Sequence, residues 1–494
     1  MQPKSNRFAV LAALVPVVLL AGGCRRLLPP TAPQTSPFAG RTVRVACPDE
    51  TTAELIDRHG ANGWGQRQNA QVKVLRYAAG AEPPEADAWV IRPAELGRWA
   101  SVGRLQPVPD TLLQDEAFGW GRLLPVYRDP LLCWGRTPYA LPLVGDSPLC
   151  FYRADLLAPA ESGGAAKKLP PATWEDLAEL AEAFAGRRTD LAPLPPLPAS
   201  PDDFDRLFYS IAASYARQAI SRERQADRAA EAKLSDEETL SLHYDLETGR
   251  CRIDTAGFVE AVKLLQRLQR LRGPGTHPAP PELFGQGKAA FCLADATWVH
   301  RFQEGPVRDK FSICHVPGTR CYFSYQEGER REVPGGNWVP YLGTGGWLMV
   351  VPAKSADPEA AFALLADLSG TDTSRQIVYQ PKWGGGAFRN EHLDNLASWS
   401  SFGLGATQSQ LVESLNRTLR PLGLKNPAFR LRTPDQAEKL QALLEVVQPA
   451  LLEGKDAEAT MKEVARHWQQ LDEKVDPKTR LADYRLNLGL TPKR

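Results

Sequence analysis

The chain has 494 residues, with 43% hydrophobic and 24% charged content, enough to bury a large core in two or three domains. A formal net charge of +1 excludes the basic excess with which a duplex binder displaces counterions, so the expected partner is a small, neutral molecule and no nucleic acid.

The N-terminus carries Lys4 and Arg7, then an apolar run from Phe8 to Gly23 that is short for a bilayer span and closes on Leu20-Ala21-Gly22-Gly23-Cys24. This reads as a lipoprotein-type signal peptide over residues 1–23. Small residues give a peptidase access to the backbone, and the Cys24 thiol takes the lipid. Leu stands one place earlier than the usual pattern has it, and an uncleaved signal anchor is the alternative. Arg25-Arg26 and a Pro-rich stretch follow, a stiff tether over residues 24–40. The body is expected on the periplasmic side, lipid-anchored to the cell membrane.

Beyond the tether, strand-like runs alternate with amphipathic segments, the pattern of an α/β sheet faced by helices. Strands are expected at Thr42 to Ala46, Val72 to Tyr77, Ala86 to Ile91, Leu149 to Tyr152, Lys288 to Leu293 and Trp347 to Val351. Helices are expected to start at Thr173, with an acid three places on and a stop at Gly186, and at Asp357-Pro358, Thr433-Pro434 and Asp456. The segment "YALPLVGDSPLCFYRADLL", residues 139 to 157, sets two apolar runs around Gly145-Asp146-Ser147-Pro148; a hairpin within one sheet and a passage between two lobes both fit. Residues 187–247 turn Pro-rich and then charged on nearly every helical face, as in a solvated insertion.

Enzyme signatures are absent: no G-x-S-x-G, no H-E-x-x-H, no P-loop and no G-x-G-x-x-G after a strand. No two of the seven histidines have ligand spacing on one helix, so no metal and no cofactor are expected. Besides Cys24, seven cysteines remain, an odd number; Cys314 with Cys321, around Pro317-Gly318, and Cys133 with Cys150 are the disulfide candidates. The remaining signal is tryptophan beside glycine or aspartate: Gly345-Gly346-Trp347, Trp383-Gly384, Gly336-Asn337-Trp338 and Asp295-Ala296-Thr297-Trp298. Flat rings stack on the C–H faces of sugars while carboxylates bond their hydroxyls.

The stretch "YALPLVGDSPLCFYRADLL" followed by "PPATWEDLAELAEAF" resembles the extracellular solute-binding proteins of ABC importers, the sugar-binding family of maltose-binding-protein type. So do "ADAWVIRPAELGRWASVGRLQPVPD", "GKAAFCLADATWVHRF" through "SICHVPG", and "GTGGWLMVVPAKSADPEAAFALLADLSG", in that order over most of residues 41 to 475. The resemblance implies an α/β two-lobe periplasmic-binding-protein fold of type II with strands crossing between lobes. The first lobe would comprise 41–145 and 316–382, and the second 146–315 and 383–494. The chain would cross at Gly145-Asp146-Ser147, near Val316 and near Trp383, with Gly145 and Gly318 as hinge residues. The resemblance places Asp87, Arg92, Asp146, Trp298 and Trp347 at the ligand groove, and the tryptophan segments add Asp295, Gly346 and Trp383 to it. It implies a monomeric, tethered protein that is not an enzyme and hands a carbohydrate-like solute to ABC permease subunits. An exported carboxylate-dependent hydrolase and a receptor subunit for a membrane sensor are the alternatives. The length of 187–247, Pro93 and the aromatic, Gly-rich segment from Gly318 to Gly343 depart from the family pattern.

Overall fold

A computed structural model describes residues 36–157, 169–187, 191–220, 235, 237–420 and 424–492. Cys24, the segment expected as signal peptide, most of the expected tether and the charge-rich stretch 221–234 lie outside the described residues.

Two sheets organise the molecule. The first has five strands in the order Gln71–Arg76, Thr42–Cys47, Ala88–Ile91, Trp347–Val350, Ala140–Val144. Thr42–Cys47 runs parallel to both its neighbours, whereas Trp347–Val350 is antiparallel to both of its own. The second sheet has three antiparallel strands in the order Phe291–Asp295, Pro148–Tyr152, Ser312–His315. Ala88–Ile91 and Ala140–Val144 are buried along their whole length, which is why they read as unbroken apolar runs without alternation.

The break at Gly145-Asp146-Ser147 therefore joins strands of two different sheets. Gly145 sits where a side chain would strike the carbonyl of Ala387, and its N–H donates to Gly386 O at 2.9 Å. The return passage lies later than expected. After Val316 the chain stays with the second sheet: Gly318 O accepts from Trp174 N at 2.7 Å, and the hairpin Thr319–Phe323/Arg330–Asn337 docks on the helix Pro201–Ala216 through Asn337 Nδ2 to Arg217 O at 2.8 Å. Tyr341–Leu342 then pairs with Ala428–Phe429, and only Gly343 to Gly346 lead into the first sheet at Trp347. Gly318 is thus a close-packing position beside Asn337 in the second lobe, not a hinge. The third passage also lies beyond Trp383. Phe388 O still accepts from Leu124 N at 2.9 Å, and the chain reaches the second sheet with the helix Thr407–Leu419, where Gln410 Oε1 accepts from Ile313 N at 3.0 Å.

The segment expected to be a solvated insertion begins as core. In the helix Pro201–Ala216, Pro201 occupies the first turn and Ser200 Oγ accepts from Asp203 N at 3.3 Å. Phe204, Phe208, Ile211, Ala212 and Tyr215 recur at helical spacing and are buried among Phe258, Val262 and Leu265 of the helix Ala256–Gln269. The first turn of this helix is left polar, with Asp202, Asp203 and Arg206 at the junction of the lobes. The helices expected at Thr173, Asp357 and Asp456 begin there as capped starts, as Trp174–Ala185, Pro358–Ser369 and Ala457–Asp472; the one expected at Thr433 starts at Gln436.

The disulfide expected between Cys314 and Cys321 is not formed. Strand register sets Cys314 opposite Cys150, and Cys321 Sγ instead accepts from Arg330 Nε at 3.2 Å. Cys133 bonds Arg128 O at 3.3 Å, away from Cys150.

Candidate functional site

The site lies at the C-terminal ends of the parallel strands, where loops leave the first sheet toward the second. Register fixes its centre. Leu348 pairs with Ile91, so Arg92, one residue beyond its strand, comes to lie against Trp347, the first residue of the neighbouring antiparallel strand. The guanidinium carbon is 3.8 Å from the ring centroid. Among the described residues no carboxylate pairs with Arg92 directly. Burial lowers its pKa while the charges of Asp202, Asp49 and Asp295 oppose that shift. The result is a cation spread over an aromatic ring, facing acids from the second lobe.

Those acids converge on Arg206. Its Nη2 lies 3.0 Å from Asp295 Oδ2 and 3.2 Å from Thr344 O; Nε lies 3.2 Å from Thr344 Oγ1, and Nη1 3.5 Å from Asp203 Oδ1. One side chain thus ties the helix Pro201–Ala216, the end of the strand Phe291–Asp295 and the second passage together. Asp146 does the same from the first passage. Its Oδ2 accepts from Gly343 N at 2.8 Å and Thr344 N at 2.9 Å, and Tyr127 OH bonds its backbone. Burial, then the nearby charge of Asp295, pushes the Asp146 carboxyl up to about 6. Asp205, on the buried side of the same helix and bonded by Tyr341 OH, is also pushed up to about 6 by burial. Asp202, an exposed residue, is held low by Arg430, whose Nη2 lies 2.5 Å away.

Glycine makes this convergence possible at two positions. Gly346 has φ +77°, and a Cβ there would stand 2.5 Å from Val144 O and 2.7 Å from Gly145 C, so it seats one passage on the other. A Cβ on Gly345 would stand 2.8 Å from Asp146 Oδ1 and 3.1 Å from Asp295 Oδ2, inside the acid cluster.

Of the residues expected here, Arg92, Trp347, Asp146, Asp295 and Gly346 are brought together. Trp298 is close by: it follows Asp295 by three residues, is half-buried, stacks on Phe302 with centroids 6.1 Å apart, and carries Arg301 at 4.6 Å. Asp87 is elsewhere. It precedes the strand that Arg92 follows, so it sits at the opposite end of that central strand, where Arg44 N at 2.8 Å and Ala356 N at 3.1 Å occupy its carboxylate. Trp383 is buried, with Arg58 at 5.1 Å and His59 at 6.0 Å from its ring. The sequence reading missed Asp202, Asp203, Arg206 and Thr344; the start Ser200-Pro201-Asp202-Asp203 was the available signal for the first three. Among the described residues no group of His, Cys, Asp and Glu has an arrangement that could hold a metal ion, and no helix is long and apolar enough to cross a membrane.

The junction of the lobes thus brings a ring together with charges from both sheets, and comparison with known proteins decides the family. The family model for bacterial extracellular solute-binding proteins matches residues 66–401. The chain belongs to that family. No curated protein matches it. Solved structures match with 16% identity and a TM-score of 0.63 for the maltose-bound MalE3 of T. maritima, over 87% of this chain and 100% of that one. The GacH receptor of Streptomyces glaucescens, solved unliganded and with acarbose, matches with 15% identity and a TM-score of 0.61 over 88% and 100% of the two chains. A solute-binding protein of Agrobacterium vitis with bound D-mannitol gives 17%, 0.57, 88% and 99%. This solute-binding protein thus has the two-lobe fold, and its family is extracytoplasmic.

Proposed function

We propose that this protein is the tethered binding component of an ABC importer, closing its two lobes on a carbohydrate-like solute and presenting the closed form to permease subunits. The reading is carried by the Arg92–Trp347 pair standing at the lobe junction across from Asp202, Asp203 and Asp295. A ring offers a face to sugar C–H groups, and carboxylates and guanidinium groups offer partners to hydroxyls. Maltose, acarbose and D-mannitol occupy structures of the same fold.

Closure follows from the connections. Passages at Gly145 to Ser147, at Gly343 to Gly346 and beyond Phe388 are few, and a solute touching both lobes stabilises the closed arrangement over the open one by the contacts it adds. Lipid on Cys24 and the Pro-rich tether hold the body at the membrane as a monomer. Mass spectrometry of small molecules co-purifying with the protein identifies the solute. Small-angle scattering with and without it is then expected to show a smaller radius of gyration when bound. A bound solute that leaves the radius and the tryptophan fluorescence unchanged would overturn the importer reading.

A further inference from the structure

Among the described residues, Arg432 and Arg389 are buried without a carboxylate partner and are fully satisfied in another way. Arg432 spends Nε on Asn487 Oδ1 at 3.1 Å, Nη1 on the carbonyls of Pro130 at 2.9 Å, Leu131 at 3.3 Å and Cys133 at 3.1 Å, and Nη2 on Asn487 O at 2.6 Å. Arg389 donates to Ser369 O at 2.7 Å, Phe118 O at 2.6 Å and Gly119 O at 3.5 Å. Arg272 is different. It makes one bond, from Nη1 to Pro195 O at 3.0 Å, and its Nε is sealed from solvent with no acceptor.

Arg272 lines a cavity of about 210 Å3 in the second lobe. Pro195, Pro280, Trp174 and Trp298 supply rigid apolar walls, while Asp203 and Arg206 of the junction reach the same space. Trp298 therefore belongs both to this cavity and to the edge of the site. A cavity of roughly 150 Å3 already admits a benzene ring, so this one has room for a ring-sized group. Asp203 is spoken for by Arg206 at 3.5 Å. A guanidinium N–H sealed from water without an acceptor is costly unless one is supplied, and the planar fork of this side chain matches a carboxylate with two parallel bonds.

We infer that this cavity is a subsite for the anionic end of the solute, and that the solute is an acidic carbohydrate whose carboxylate is held by Arg272. The inference rests on the solute-binding reading above and narrows it. The proline walls and Trp298 would take the ring face, and the acids at Arg206 would remain for hydroxyls, so the charge selected at Arg272 would distinguish a sugar acid from its neutral parent.

The test is native mass spectrometry of the purified full chain, freed of solute and mixed with glucuronate, galacturonate and their disaccharides together with glucose, galactose and maltose. Retention of the acids at least tenfold above their neutral parents is expected, with a preference that falls as salt is raised. Calorimetry on Arg272→Gln should abolish that ratio and Arg272→Lys should keep part of it, with melting temperatures confirming that both variants are folded. Retention of neutral sugars alone, or an unchanged ratio in folded Arg272→Gln, overturns the inference and leaves the solute-binding reading standing. Retention of no sugar, with no solute co-purifying, overturns both.

Discussion

Arg92 lies flat on Trp347, with 3.8 Å between the guanidinium carbon and the ring centroid, because one strand ends where its antiparallel neighbour begins. The two residues are 255 positions apart by number, and nothing local in the sequence brings them together. Trp347 is 7% exposed and packs into the core of the first lobe, whereas Trp298 is half-buried at the mouth of the cavity. The two rings are therefore expected to respond differently to truncation. Trp298→Ala should weaken solute binding by about 1–3 kcal/mol with little change in melting temperature. Trp347→Ala should lose affinity and also about 3–5 kcal/mol of stability, as a buried ring does. Calorimetry paired with thermal melts separates the two.

The buried carboxyl of Asp146 gives a pH dependence of defined sign. Its pKa is about 6 in the folded protein against 3.8 for the free side chain, so between those values the folded state binds the extra proton. The stability it contributes is complete below pH ~4 and is lost as pH rises through about 6. The stability difference between the natural protein and Asp146→Asn should move in favour of Asn by up to about 3 kcal/mol between pH ~4 and ~7, measured by urea titration. A difference that is flat or moves the other way would show that Asp146 is ionised throughout.

Gly346 joins the two first passages, and its substitution should be costly in two ways. At φ +77° an alanine is strained, and its Cβ would meet Val144 O at 2.5 Å. Gly346→Ala is expected to lower the melting temperature by several degrees and to blunt the solute-dependent change in scattering radius. Gly318→Ala should destabilise the second lobe without altering closure in whatever protein remains folded.

Oxidation should join Cys150 to Cys314. Directly opposed residues of an antiparallel pair have Cα atoms roughly 4.5–5.5 Å apart, inside the disulfide range of roughly 4.4–6.8 Å. The two thiols already contact one another across this strand pair. Peptide mapping without reductant, after exposure to a disulfide-bearing oxidase, is expected to yield the 150–314 linkage and no 314–321 linkage.

The proposed membrane attachment would rest on one atom. Cys24→Ala should release the protein from membranes in a fractionation assay, since the proposal makes acyl chains on that sulfur the anchor. Unchanged retention would point to an uncleaved signal anchor.

Much of this molecule was legible residue by residue. The strand Thr42–Cys47, the capped helix starts at Thr173, Asp357 and Asp456, and the polar break at Gly145-Asp146-Ser147 all announce themselves, because capping, turn chemistry and apolar runs are local in sequence. The resemblance to the family, and the choice of Arg92, Trp347, Asp146 and Asp295, likewise came from short segments. Tertiary structure alone decided the rest. Asp87 and Arg92 bracket the same strand, and only its direction in the sheet sends one to the site and the other to Arg44. Cys314 is seven residues from Cys321, yet register turned it toward Cys150. The helix Pro201–Ala216 lies in a charged stretch, and its apolar stripe became core only against the helix Ala256–Gln269, which freed Asp202, Asp203 and Arg206 for the junction. Sequence specifies what each residue prefers nearby; which distant residue answers it is set by how sheets and helices pack, and the candidate site is made of such distant pairs.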